Sequence, residues 1–211
     1  MIELDNITYK YPQSDVPVLR DFSARFERGE ITAVSGKNGC GKTTLTKLLV
    51  GILRPSVGTI TIDGAKTAGL DLFKIGQLVG YVFQNPNKQL FCDSVFNEVA
   101  YGLRNLRMGE DQIDKNVGNY LEFFDLVQYR DTYPGKLSLG EKQRLALAAV
   151  LALGTDYIVL DEPTTGLDAH RQKELGGTLM KLKREQNCGI VIVSHSTDFI
   201  ARFADRELVL Q

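Results

Sequence analysis

Short apolar runs rich in β-branched residues alternate along this chain with longer stretches of helical period. The opening part reads as strand: Ile2 to Thr8, Val18 to Phe26, and Ile31-Thr32-Ala33-Val34. A polar connection with two prolines, Tyr11 to Pro17, separates the first two. Gly58 to Gly64 reads as a short strand between turns, and Leu78-Val79-Gly80-Tyr81-Val82-Phe83 as another. From Ser94 to Tyr133 the period changes to helical, with Val95, Val99 and Leu103 in step, then Val117, Leu121 and Phe124. The long run Ser138 to Leu153 follows. This stretch, about 85–155, carries no strong strand and predicts a helical subdomain inserted in an α/β core. Alternation then resumes: strand at Tyr157 to Leu160, helix over Asp168 to Glu185, strand at Ile190 to Val193, a short helix after Ser196, and strand at Glu207 to Leu210. Such alternation predicts an α/β fold with a mainly parallel sheet, in one domain spanning 1–211.

At 43% hydrophobic over 211 residues, the chain can bury a substantial core. Lys plus Arg number 25 against 26 Asp plus Glu, a formal net charge of -1 with no basic run, which argues against a nucleic-acid partner. Met1-Ile2-Glu3-Leu4-Asp5 lacks the positive flank and apolar core of a signal peptide. The longest apolar stretch, Leu145 to Leu153, is too short to cross a bilayer. Cys40, Cys92 and Cys188 show neither metal-ligand spacing nor a disulfide framework. These features predict a soluble, intracellular protein, which could work at a membrane only by docking on something that spans it.

Candidate chemistry begins at Gly36-Lys37-Asn38-Gly39-Cys40-Gly41-Lys42-Thr43, the G-x-x-x-x-G-K-T phosphate loop known as Walker A. It lies between a strand-like and a helix-like run, the context such a loop needs. Small residues let successive backbone N–H groups turn inward toward phosphate oxygens, and the following helix start adds partial positive charge. The motif assigns Gly36, Asn38, Gly39, Gly41, Lys42, Thr43 and Thr44 to nucleotide binding, with Lys42 reaching the β- and γ-phosphates and the Thr43 hydroxyl on Mg²⁺. Ile158-Val159-Leu160-Asp161-Glu162 is an apolar strand ending in two acids, the Walker B pattern. It would deliver Asp161 to the metal and Glu162 to the attacking water.

Taken in order, Gly36 to Thr43, Gln84, Leu137-Ser138-Leu139-Gly140-Glu141, Asp161-Glu162, Gly166-Leu167-Asp168 and His195 resemble the ATPase subunit of ATP-binding-cassette (ABC) transporters over essentially the whole chain. The resemblance implies an α/β ATPase core with an antiparallel β subdomain and a helical subdomain. It implies ATP and Mg²⁺ as ligands. It also implies that two cassettes close head to tail, each site combining one chain's phosphate loop with the other's signature sequence. By the same resemblance Tyr11 stacks on adenine, with Tyr9 the second choice. Gln84 senses the metal and the water, and His195 contacts the γ-phosphate. Ser138 and Gly140 approach the partner's ATP, while Asp168 meets the partner cassette or caps the next helix. His170 reads as an ordinary surface residue. The catalytic set is then Lys42, Gln84, Glu162 and His195, with Thr43, Gln84 and Asp161 at the metal.

The signature departs from the usual L-S-G-G-Q: Leu139 replaces a glycine and Glu141 a glutamine. The substitutions predict either tolerance, because the helix start still offers its N–H groups, or a weakened site on the partner's ATP and hence an unlike partner cassette. Phe83-Gln84-Asn85-Pro86-Asn87-Lys88-Gln89-Leu90-Phe91 resembles the F-Q-N-P-x-x-Q-L-F of energy-coupling-factor importers of vitamins, cobalt or nickel. That implies a transmembrane coupling subunit met at Gln89, a substrate-binding membrane subunit, and a peripheral place on the cytoplasmic face of the membrane. The alternatives are a cassette of another importer or an exporter, or a non-transport cassette ATPase of translation or DNA maintenance. Many family members continue into a carboxyl-terminal dimerisation segment, so a longer parent protein or a tandem cassette is also among the expectations.

Overall fold

Strands with unbroken apolar runs occupy the middle of a five-stranded sheet in the computed structural model, which describes residues 1–210. Its order is β6 (Val79–Val82), β7 (Tyr157–Asp161), β8 (Gly189–Val193), β3 (Ile31–Gly36) and β9 (Arg206–Leu210). The pairs β7–β8, β8–β3 and β3–β9 are parallel. All of β8, and Tyr157 to Leu160 of β7, are buried. A sheet covered on both faces needs such continuous Val and Ile runs rather than alternation. Helices α6 (Ala169–Gln186) and α7 (Thr197–Phe203) make the crossovers from β7 to β8 and from β8 to β9, and α1 (Lys42–Leu49) follows β3. Asn187 ends α6 in the left-handed conformation (φ 51°), which asparagine tolerates better than most residues.

A second sheet is antiparallel throughout, in the order β2 (Leu19–Phe26), β1 (Ile2–Tyr9), β4 (Val57–Ile62), β5 (Ala65–Lys66). Along β1, Ile2 and Leu4 are buried, then the inward set slips by one to Ile7 and Tyr9. The slip coincides with register shifts on both sides of the strand and with Asn6 at φ 49°, a bulge. Gly58 on β4 lies under it at φ 89°; a Cβ there would come within 2.4 Å of the Asn6 carbonyl oxygen. The end of this sheet is tied to β7 by Arg28, which pairs with Asp63 at 2.7 Å and Asp156 at 2.6 Å. Tyr157 and the terminal ammonium of Met1 also donate to Asp63. Burial pushes the Asp63 carboxyl up, but these donors outweigh it and hold it at about 2.

These sheets form one unit, Met1–Tyr81 with the segment from Asp156 onward; Val82–Thr155 form the other. The second unit is helical: α3 (Val95–Asn105), α4 (Glu110–Phe123) and α5 (Leu139–Leu151). Val95, Val99 and Leu103 of α3, Ile113, Val117 and Leu121 of α4, and Leu145 to Ala148 of α5 supply its core. The buried carboxylate of Glu98 accepts the N–H groups of Phe91 (2.9 Å) and Cys92 (2.7 Å), fixing the loop before α3.

One helix was not expected, nor was the two-residue strand β5. Helix α2 (Leu72–Leu78) precedes β6, so Leu78 ends a helix instead of starting a strand. The helix is only seven residues long, buries only Ile75 and runs directly into β6, so its apolar positions merge with those of the strand; its start is set by Asp71, whose carboxylate accepts the Lys74 N–H at 2.8 Å. Among the described residues no helix is long and apolar enough to cross a membrane.

Candidate functional site

The parallel register sets Val34, Val193 and Asp161 side by side in one row across three strands. The segments leaving these strand ends therefore emerge together: the phosphate loop after β3, Glu162 after β7 and His195 after β8. This is the crevice at the carboxyl edge where open α/β sheets take ligands. A cavity of about 470 Å³ opens there, lined by Tyr11, Val18, Asn38, Gly39, Gly41, Lys42, Thr43, Thr44, Asp161, Glu162, Val193 and His195. All belong to the sheet-bearing unit.

Gly41 adopts φ 102° at the start of α1, and a Cβ there would press on Val18 Cγ1 at 3.0 Å. With glycine at this position, α1 has no side-chain cap, as α4 has none at Gly109, whereas α2, α3, α5, α6 and α7 are each capped by Asp or Ser. The first-turn N–H groups of α1 therefore remain for an anion. The Lys42 ammonium lies inside the loop and donates to the carbonyls of Gly36 and Lys37, both at 2.9 Å. Lysine carries three such protons, so one is left for a phosphate oxygen. Gly36 itself does not line the cavity; it contributes this carbonyl.

Glu162 stands at φ 51°, a left-handed conformation that costs a non-glycine residue about 1–2 kcal/mol. Its N–H donates to the Val193 carbonyl at 2.9 Å, which holds the strained turn. The buried hydroxyls of Ser194 and Thr164, 2.9 Å apart, brace the same two loops. Glu162 Oε1 lies 3.1 Å from His195 Nε2, and among the described residues this buried oxygen has no hydrogen-bond partner. Burial pushes the Glu162 carboxyl above the usual carboxylate range; His195 opposes the shift, Asp161 adds to it and Lys42 opposes it.

Mg²⁺ takes hard oxygen donors and keeps several waters or phosphate oxygens in its shell. The Thr43 hydroxyl and the Asp161 carboxylate line one cavity, and Tyr81 donates to Asp161 Oδ2 at 2.9 Å, leaving Oδ1 available. This sparse donor set suits a metal completed by a triphosphate. Tyr11 lines the cavity with its ring edge against Tyr9 (centroids 5.0 Å apart) and its hydroxyl 3.1 Å from Thr44 Oγ1; Tyr9 is buried in the core. Asp168 does not line the cavity, and its carboxylate caps α6 by accepting the Arg171 N–H at 2.8 Å.

Gln84, Ser138 and Gly140 lie in the helical unit. Ser138 caps α5 in a reciprocal box: its hydroxyl accepts the Glu141 N–H, and Glu141 Oε2 accepts the Ser138 N–H at 2.7 Å. Hydrogen bonds from Tyr129 and Ser138 hold the Glu141 carboxyl low. Sequence reasoning missed Val18 and Val193 in the lining, the Ser194–Thr164 brace and Tyr81. Only the capping box had a local signal, the S-x-x-E spacing.

The profile of the ABC transporter family matches residues 19–165. An energy-coupling factor transporter ATP-binding protein, EcfA of Methanothermobacter thermautotrophicus, is 43% identical over 212 residues, covering all of this chain and 68% of its own length. Among solved structures, CbiO1 of Clostridium perfringens, described as part of the ABC transporter complex CbiONQ, superposes with a TM-score of 0.94 at 33% identity over all of this chain and 84% of that one. The cassette MJ0796, seen as a dimer in a post-hydrolysis state with ADP and Pi, gives 0.85 at 27% identity, covering 100% and 94% of the two chains.

Proposed function

The chain belongs to the ABC transporter family as an ATP-hydrolysing cassette, and on that premise we propose that it powers energy-coupling-factor uptake of a vitamin or metal ion. In this reading it sits peripherally on the cytoplasmic face of a membrane. It works paired with a second cassette, on a transmembrane coupling subunit and a substrate-binding membrane subunit. The likeness to EcfA and CbiO1 and the F-Q-N-P-x-x-Q-L-F segment support the subtype.

The observation that carries the site assignment is the strand row that gathers the phosphate loop, Asp161, Glu162 and His195 around one cavity. ATP enters with its triphosphate along the loop and its base beside Tyr11. Lys42 and the free N–H groups of α1 balance the charge that grows on the phosphate oxygens. Thr43 and Asp161 would hold Mg²⁺, with Gln84 the further ligand that the family resemblance implies, and the metal would supply neutralisation of the charge developing on the phosphates. Glu162 offers its unpartnered Oε1 to the attacking water and takes its proton, and its raised pKa suits that work near neutral pH. His195, beside Glu162, completes the γ-phosphate contacts. Ser138 and Gly140 serve the partner's ATP, with Asp168 at the junction.

Affinity purification of the native protein in detergent, with its partners identified, tests the assignment. A coupling subunit and a second cassette are the expected companions. Recovery with a periplasmic-type binding protein or an exporter membrane domain would overturn the subtype. Because Leu139 alters the signature offered to the partner, the second cassette is expected to be unlike this chain. Equal hydrolysis at both sites of a purified homodimer would refute that.

A further inference from the structure

Asp161 and Thr43 reach the cavity from different elements, β7 and α1, so a shared metal needs something to fix their spacing. Behind them lies a set of hydroxyls that the hydrolysis scheme does not use. Tyr81, on β6 beside β7, donates its phenol proton to Asp161 Oδ2 at 2.9 Å. The side chain of Thr46, one turn along α1 from Thr43, stands beside the same phenol within its hydrogen-bonding surroundings. Thr46 Oγ1 also lies 2.9 Å from the Thr43 carbonyl oxygen, to which it donates. One threonine proton serves only one of these acceptors at a time, but both oxygens remain in contact with it. Thr46 is fully buried, and the Tyr81 ring packs on the apolar core. The Thr46 hydroxyl is closed off from water, and the Tyr81 phenol is part-buried beside it.

We infer that Tyr81, seconded by Thr46, is a positioning residue for the metal site: a hydroxyl bridge that fixes Asp161 relative to Thr43. The inference rests on the reading of Thr43 and Asp161 as the Mg²⁺ ligands. Groups that orient a ligating carboxylate commonly govern metal affinity by about 10–100-fold. The ring of Tyr81 supplies packing, and its hydroxyl supplies the aim.

The test uses the full chain and a fluorescent ATP analogue, titrated in EDTA and across a range of Mg²⁺ concentrations. Tyr81→Phe keeps the ring and removes the donor. Metal-free affinity stays as in the parent, while the Mg²⁺ midpoint rises by on the order of tenfold or more. Thr46→Val moves the midpoint in the same direction, and the double variant is no worse than Tyr81→Phe alone. Electron paramagnetic resonance of bound Mn²⁺ reports the change in the metal's surroundings independently of turnover. An unchanged midpoint in Tyr81→Phe overturns the bridge, as does an equal fall in metal-free affinity or full additivity of the two substitutions. Asp161→Asn separates the two levels: if it shifts the midpoint and Tyr81→Phe does not, the bridge alone fails. If neither shifts it, the metal reading fails.

Discussion

Replacing Glu162 by Gln should remove hydrolysis and make the nucleotide-free protein more stable. The side chain is 16% exposed, and its Oε1 is buried without a hydrogen-bond partner among the described residues. An unsatisfied buried acceptor costs about 1–3 kcal/mol, more when charged. Gln keeps the shape and the strained backbone but removes the charge, so a gain of about 1 kcal/mol follows, or about 2–4 °C in Tm for a chain of this size. The pH dependence has a definite sign. Burial raises the folded pKa of Glu162, so the stability tied to its protonation is full below the unfolded pKa and is lost as pH rises through the folded value. The advantage of Gln is therefore largest near neutral pH and closes as the medium approaches the unfolded pKa of about 4.3. Phosphate release should fall by about 10²–10⁴-fold, the usual worth of a positioned general base. The assays are thermal unfolding without nucleotide near neutral pH and at about pH 5, and steady-state turnover with Mg²⁺. A variant no more stable than its parent near neutral pH, or an advantage that does not shrink on acidification, would refute the reasoning. Retained turnover would remove Glu162 from the base role.

Two further outcomes concern single side chains. Glu141→Ala removes the carboxylate that accepts the Ser138 N–H at 2.7 Å and should cost about 1–2 kcal/mol by denaturant unfolding, while Glu141→Gln keeps most of the cap. The folded pKa of Glu141 is depressed, so its contribution is present above the unfolded pKa and fades as pH falls through the folded one. Tyr11→Ala should weaken ATP by about 5–150-fold, the worth of one base–aromatic stack of about 1–3 kcal/mol. Inorganic tripolyphosphate should compete as well as before, and equal losses for both ligands would place Tyr11 outside base recognition.

What could be read in the chain depended on whether the signal was local. The phosphate loop is one contiguous motif, because its backbone must wind around a single group, and the strands feeding the crevice are continuous Val and Ile runs. Those elements were legible, as was the order of strand and helix. Helix α2 was not, since at seven residues it runs directly into β6 and its apolar positions merge with those of the strand. The two-sheet division followed from family resemblance, not from the residues, because pairing partners such as Ile2 and Ile62 are distant in sequence. Tyr81 escaped for the same reason: on β6 it is one more apolar-strand aromatic, and only the β6–β7 adjacency brings its hydroxyl to Asp161.

Glu141 and Leu139, which looked like a joint defect in the signature, separate once the cap is seen. Glu141 completes the box with Ser138, and its charge sits in the first turn of α5, where the helix dipole favours it. The Ser138 hydroxyl accepts the Glu141 N–H and so keeps its own proton to give to a partner's phosphate. A Cβ at Gly140 would meet nothing within 4 Å, so that position is open as well. Any impairment then falls on Leu139, whose side chain stands where a glycine is usual. Leu139→Gly should raise turnover in an assembly that uses this signature, at a cost of about 1 kcal/mol in helix stability, and Glu141→Gln should leave turnover unchanged. If Glu141→Gln alone raised turnover, the charge rather than the bulk would be the obstacle, and the capping account of Glu141 would be incomplete.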